Sequence, residues 1–254
     1  MIDEAFGNRV SQETLEELLP DYREIDKKLI AYKGTNNRTA NAILTEIMSI
    51  EERQCLEEAF FGNTGWYRTI NGDGMIKLKL AAMSLEITNN IFTFKKEVED
   101  KILDWIDKGC MCKEEQLLMM RCYVKQKIIT YMTLLNYLKN IRQTDKMTIK
   151  LYRGINTPYQ NQNYKFSGME SWSTNINIAY RFARDEGFVV EKEYPINQIF
   201  TCKRSTFKNL TNRLYKHSGF YVRRESEMIV ENFEKELDCR NGKGIRLAIS
   251  KEIY

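Results

Sequence analysis

Five polar residues in the second half of this 254-residue chain have types and spacing suited to chemistry on a polar or anionic ligand. Arg153 closes the alternating run Thr148-Ile149-Lys150-Leu151-Tyr152 and precedes Gly154. Its guanidinium is a planar fork of donors that matches phosphate or carboxylate, and the glycine lets the chain turn and a ligand approach the backbone. Ser173 and Thr174 follow Glu170-Ser171-Trp172 and precede a helical pattern. Hydroxyls at a strand mouth beside a helix N-terminus suit a polar or anionic group. Glu225 and Glu227 flank Ser226 ahead of the apolar run Met228-Ile229-Val230, and on a strand such i, i+2 residues share a face. Paired carboxylates can stabilise positive charge as it develops on a substrate. Each feature also has a plain structural use: Arg153 in an ion pair, Ser173 and Thr174 in a helix cap, the glutamates as exposed edge acids, Trp172 in the core.

The elements that must hold these residues follow from pattern. Residues 148–154 alternate as a strand, and Glu170 to Ser173 end a second one. Ile178, Ala179, Phe182 and Ala183 repeat at helical spacing behind the capping residues Ser173, Thr174 and Asn175. A third strand starts around Glu227. The first part of the chain, 1–145, reads as helical. Ser11 opens a capping box with Thr14 in the acid's place, and Pro20 ends or kinks that helix. Ile43, Ile47 and Ile50 continue a helical face, as do Ala81, Leu85, Ile102 and Ile106, and a long helix runs from about Glu114 to Ile141. Gly62 to Gly74 carries turn signals. The acid pairs Glu51-Glu52, Glu57-Glu58 and Glu114-Glu115 read as solvated helix faces or first-turn charges. No catalytic constellation stands out in this half.

Composition narrows the classes. The formal net charge is +4, but residues 1–145 sum to −3 and residues 146–254 to +7. With the change to strand-like alternation, this sets a boundary near Asp145. No acid occurs from Tyr194 to Arg224, where lysines and arginines interleave with Phe200, Phe207, Tyr215, Phe220 and Tyr221. That mixture suits a phosphate backbone with stacked bases or an acidic protein surface. A single histidine, His217, argues against serine–histidine or cysteine–histidine catalysis and against a Cys/His metal site, so no metal cofactor is expected. The six cysteines lack a disulfide-framework spacing. No apolar stretch of about 18 residues is present, and the acidic N-terminus does not read as a signal peptide. A cytoplasmic protein without membrane association is therefore expected.

In their order, Arg153, Ser173-Thr174 and Glu225-x-Glu227, the motifs of residues 146–254 resemble the arginine–serine–glutamate class of mono-ADP-ribosyltransferases. That class includes clostridial actin-modifying toxins and phage-encoded modifying enzymes. The resemblance implies an α+β fold: an N-terminal helical lobe, 1–145, followed by a mixed, mostly antiparallel split β-sheet ADP-ribosyltransferase core, 146–254. NAD would be the co-substrate, lying between the strand ends that carry Arg153, Ser173 and Glu227. Arg153 would hold its phosphates, with Gly154, Trp172, Ser173, Thr174 and Glu227 completing the NAD site. Ser173 would orient Glu227, whose carboxylate would stabilise the oxocarbenium-like ribose. Glu225 would contact a macromolecular acceptor, helped by the loop carrying Phe220, Tyr221, Arg223 and Arg224. A glutamate at 225 fits a protein arginine acceptor, while the basic loop keeps a base of RNA or DNA open. Water as acceptor, giving an NAD glycohydrolase, and a non-enzymatic basic binding module are further alternatives. The third position of the Ser-Thr-Ser pattern is Asn175 here, and Arg153 separates the chain from the histidine subclass. No Gly-rich dinucleotide fingerprint is present, which argues against a doubly wound Rossmann domain. The family implies a toxin, host-takeover or defence role, and with it an inhibitor or antitoxin partner.

Overall fold

A computed structural model describes residues 1–32, 47–61, 73–87, 113–160, 162–166, 168–202, 227–240 and 243–247. The helical part contains α1 (Ile2–Phe6), α2 (Gln12–Leu18), α3 (Tyr22–Tyr32), α4 (Ile50–Phe61), α5 (Asp73–Ser84) and α6 (Lys113–Asn136), which continues as a π-helical turn, Tyr137–Ile141. The strands follow: β1 (Thr148–Ile155), β2 (Tyr164–Lys165), β3 (Met169–Ser173), then α7 (Ile176–Ala183), β4 (Phe188–Pro195), β5 (Ile199–Cys202), β6 (Glu227–Glu231), β7 (Glu236–Leu237) and β8 (Ile245–Leu247). Six strands form one sheet in the order β5-β6-β3-β1-β4-β8, and β2 pairs with β7. All these pairings are antiparallel. The molecule is thus mixed helix and antiparallel sheet among its described residues.

Local signals in the sequence explain several boundaries. The Ser11 side chain accepts from Thr14 N at 3.2 Å to cap α2, which stops two residues short of Pro20. Ser49 and Glu52 cap each other reciprocally at the start of α4: Ser49 N donates to Glu52 Oε2 at 2.7 Å, and Glu52 N to Ser49 Oγ at 3.1 Å. This is a complete capping box. Of the two uses expected for Glu52, the first-turn charge holds and the solvated face does not: the residue is only 4% exposed and pairs with Lys125 Nζ at 2.7 Å. Ile47 is buried, but Ile50, expected on the same face, is 73% exposed beside that cap. The loop expected over 62–74 lies outside the described residues up to 72, and Asp73 and Gly74 already belong to α5. Ile43, Ile102 and Ile106 also lie outside.

Helices and sheet share one apolar core. Leu15, Leu56, Ile128 and Ile129 from the helices belong to the same buried cluster as Trp172, Val190, Phe200 and Val230 from the strands. The change of charge and periodicity near Asp145 therefore separates two kinds of element that pack together. Helix α6 is buried through most of its length, as expected of a helix apolar around much of its circumference. It lies against β5, where Tyr123 stacks on Phe200 with centroids 4.5 Å apart and Thr130 Oγ1 donates to the Phe200 carbonyl at 2.8 Å.

Helix α7 packs on β1 and β4 through small residues. Its close line is Ala179 and Ala183 against Val189 and Tyr152. Phe182, expected on this face, lies beside that line and is 55% exposed. The approach is too close for a side chain at 154: an added Cβ on Gly154 would sit 1.9 Å from the Ala179 carbonyl oxygen and 2.7 Å from Ala183 N. Gly154 thus serves helix packing, which differs from the ligand approach expected of it. Gly154→Ala is expected to force α7 outward and destabilise the protein by about 2 kcal/mol or more. Urea unfolding checks this; a loss under roughly 0.5 kcal/mol would contradict it.

Candidate functional site

The strands carrying the three motifs are neighbours, β6 beside β3 beside β1. Ser173 pairs with Glu227 across β3 and β6, and with Tyr152 across β3 and β1. Directly opposed residues share a face of the sheet. Tyr152, Ser173 and Glu227 therefore form one row on one face, and Ser171, two residues before Ser173, joins that face. The Ser171 hydroxyl hydrogen-bonds the Glu227 carboxylate. Glu227 is half-buried at the first residue of β6, immediately after the stretch bearing Glu225.

Ser173 is engaged differently. It is buried, and its Oγ accepts from Asn175 N at 3.0 Å. Asn175 is the N-cap of α7, accepting from Asn177 N at 3.0 Å. Ser173 Oγ thus helps to shape the turn into the helix, and Ser171 contacts the Glu227 carboxylate. Thr174 is exposed at that turn.

Arg153 lies inside β1, which runs on to Ile155, and its register partner is Val190. One residue from Tyr152, it points to the other face. There Nη1 donates to the Ser171 carbonyl at 2.5 Å, and Nε stands 4.0 Å from Glu170 Oε1. The expected convergence of Arg153, Ser173 and Glu227 in one cleft is therefore not what the register gives: alternation along β1 and β3 puts the guanidinium behind the strand whose front holds Glu227. The two faces are linked through Ser171, whose carbonyl binds Arg153 and whose hydroxyl binds Glu227.

Behind β3, Glu170 organises a buried polar network. Its carboxylate accepts from Tyr164 OH at 2.9 Å, Trp172 Nε1 at 3.3 Å and Asn232 Nδ2 at 3.2 Å, and Tyr194 OH donates to Asn232 Oδ1 at 2.9 Å. Burial raises the Tyr164 and Tyr194 hydroxyls well above their ordinary range, with the Glu170 charge adding to it. Both stay neutral donors. Trp172 is a core residue of this network, stacked edge-on against Tyr194 at 5.1 Å.

A second buried cluster joins α6 to the far end of β6. Glu231 accepts from the Tyr123 hydroxyl and the Lys127 ammonium, and Lys127 Nζ also donates to the Asn197 carbonyl at 2.9 Å. All three side chains are buried. Burial lowers the Lys127 ammonium, with the Glu231 charge opposing it. Neither cluster was expected from sequence. A readable signal existed for Lys127: a lysine amid the run Val124 to Leu135, on a helix apolar all round, has no solvated side to face.

Glu225, Phe220, Tyr221, Arg223, Arg224, His217, Cys110 and Cys112 lie outside the described residues. Cys55, Cys122, Cys202 and Cys239 form no disulfide among the described residues. Among the described residues, no group of three His, Cys, Asp or Glu side chains has the proximity to hold a metal ion, and no helix is long and apolar enough to cross a membrane. Comparison with protein-family models, with curated proteins and with solved structures finds no match to this chain.

Proposed function

We propose that this protein is a mono-ADP-ribosyltransferase that cleaves NAD and transfers ADP-ribose to a macromolecule. The observation that carries the reading is the serine-held glutamate at the start of β6, with the Arg, Ser-Thr and Glu motifs on three adjacent strands. Breaking the bond between nicotinamide and ribose builds positive charge on the sugar. The Glu227 carboxylate, accepting from the ribose 2′-hydroxyl, stabilises that charge more in the transition state than in the ground state. In this reading Ser171 holds the carboxylate in place for the ribose. Arg153 acts in this reading as a brace for β3 through the Ser171 carbonyl. Glu225, by the family resemblance, holds the acceptor; its carboxylate suits an arginine guanidinium, so a protein arginine is the acceptor favoured over a nucleic-acid base.

The test is NAD labelled in its adenine, incubated with wild-type protein and with Glu227→Gln, alongside a cell protein extract and total RNA. Label entering protein, and lost in the variant, supports the reading. Label entering RNA moves the acceptor to nucleic acid, and nicotinamide release without a labelled macromolecule makes the protein a glycohydrolase. Absence of NAD turnover across these conditions removes the enzymatic reading.

The two serines separate the geometry from the motif. Ser171→Ala removes a hydrogen bond to a charged group, worth about 1.5–3 kcal/mol, and is expected to lower kcat/KM for NAD by roughly tenfold or more. Ser173→Ala is expected to have the smaller kinetic effect and to loosen the start of α7. Equal kinetics for Ser171→Ala and wild type would remove Ser171 from the site.

A further inference from the structure

Helices α4 and α6 bring two thiols together. Cys55 Sγ on α4 donates to the Met119 thioether of α6 at 3.0 Å, and Cys122 Sγ on α6 donates to the Glu52 carbonyl of α4 at 3.5 Å. Glu52 and Cys55 lie three residues apart on one face of α4, as do Met119 and Cys122 on α6. The two contacts run in opposite directions along the helices, so α4 and α6 are antiparallel here and the four residues form one layer. Lys125, three residues further along α6, continues the line with its ion pair to Glu52 at 2.7 Å. Within the layer the two thiols meet. A hydrogen bond with Cys55, followed by burial, holds the Cys122 thiol above its ordinary range. Their surroundings differ: Cys122 and Met119 are buried, whereas Cys55 is partly exposed.

We propose that Cys55 and Cys122 are a redox pair, which a low-molecular-weight disulfide converts to an intramolecular disulfide between α4 and α6. Cys55, the accessible thiol, is the point of entry. Its thiolate attacks one sulfur of the oxidant, forms a mixed disulfide and releases one small thiol. Cys122 then gives up its proton and attacks the Cys55 sulfur. The protein disulfide forms and the second small thiol leaves, so two protein thiols are oxidised and the oxidant is reduced to two thiols. Burial keeps Cys122 from meeting the oxidant itself, but not from meeting Cys55. The new bond closes the loop 56–121 and pins α4 to α6, the helix whose Tyr123 and Lys127 hold β6 at Glu231. Thiol chemistry in the helical half is thereby tied to the support of that strand. The pair needs no NAD turnover and stands apart from the enzymatic reading.

The full-length protein, reduced and then equilibrated with oxidised glutathione, is blocked with iodoacetamide and digested with trypsin in the absence of reductant. Cleavage after Arg53, Arg68, Arg121 and Lys125 isolates the two cysteines on peptides 54–68 and 122–125. Mass spectrometry is expected to find these two peptides joined as the main disulfide species, and separate after dithiothreitol. The link is also expected to raise the thermal midpoint of oxidised wild type by about 5–10 °C over the reduced form, a shift lost in Cys55→Ser. In Cys122→Ser, glutathione is expected to stay on Cys55 as the mixed disulfide. The two wild-type measurements answer the question even if a variant does not fold. Wild-type Cys55 left unmodified, left carrying glutathione or joined to another cysteine overturns the pair. So does a link that forms only in urea-unfolded protein, or a linked protein whose midpoint does not rise.

Discussion

Glu227→Gln is expected to cut NAD turnover by about 10²–10³-fold, the range for removing one preorganised group aimed at transition-state charge, while the protein remains folded. Glutamine keeps the shape and an acceptor oxygen for the Ser171 hydroxyl, so the Ser173–Glu227 register survives. What disappears is the full negative charge that the proposed reaction puts beside the ribose. Because that charge acts on the developing cation more than on bound NAD, the loss falls on kcat and leaves KM for NAD within about threefold. Far-UV circular dichroism and thermal unfolding, matched between the proteins, guard against a folding defect. Turnover within about threefold of wild type in a folded variant would take Glu227 out of the chemistry. If wild type turns over no NAD yet binds RNA, and the variant binds equally, the basic binding module becomes the better description.

The boundaries that sequence reading reached were those with local causes. The strand ending near Gly154, the cap at Ser11, the stop before Pro20 and the long helix from about residue 114 each rest on neighbours within a few positions, and the fold has them. The faces of the strands were less accessible. Arg153 and Tyr152 are adjacent in sequence, and only the pairing of Tyr152 with Ser173 decides which of them shares Glu227's side of the sheet. Register is a long-range property, and one residue of difference exchanges the faces. The choice of Ser173 over Ser171 has a similar origin. Both lie on the same face by the two-residue period, and motif alignment favours Ser173, but only the fold shows that Ser171 reaches Glu227 while Ser173 Oγ takes part in the turn into α7. The buried acids were hidden for another reason. Glu170, Glu52 and Glu231 have the composition of surface residues, and each is made tolerable in the interior with the help of partners 62 to 108 positions away in sequence. Glu52 had a local clue in Ser49-x-x-Glu52; Glu170 and Glu231 had none.

Glu231→Ala is expected to be the most destabilising single change in the described structure, by about 3–5 kcal/mol, the usual cost of removing one partner from a buried ion pair. It strips Lys127 of its counter-charge, leaving the ammonium buried with the Asn197 carbonyl alone, and leaves the Tyr123 hydroxyl without its acceptor. Arg9, whose charge also senses Glu231 and whose guanidinium lies 3.0 Å above the Phe233 ring, loses a favourable neighbour. Most of the penalty belongs to the stranded ammonium, so taking it away should recover stability. Lys127→Met combined with Glu231→Gln is expected to be more stable than Glu231→Ala alone, since the introduced amide oxygen still accepts from Tyr123 and no unpaired charge remains buried. Urea unfolding of Lys127→Met, Glu231→Gln and their combination closes a double-mutant cycle, with an expected coupling of about 1–3 kcal/mol. Additive single losses would mean that Lys127 and Glu231 do not depend on one another, and that β6 is held to α6 by apolar packing alone. A coupled result ties the two ends of β6 together in physical terms: Ser171 holds the strand at Glu227, the buried ion pair holds it at Glu231, and loosening the second should blunt the positioning that the first provides.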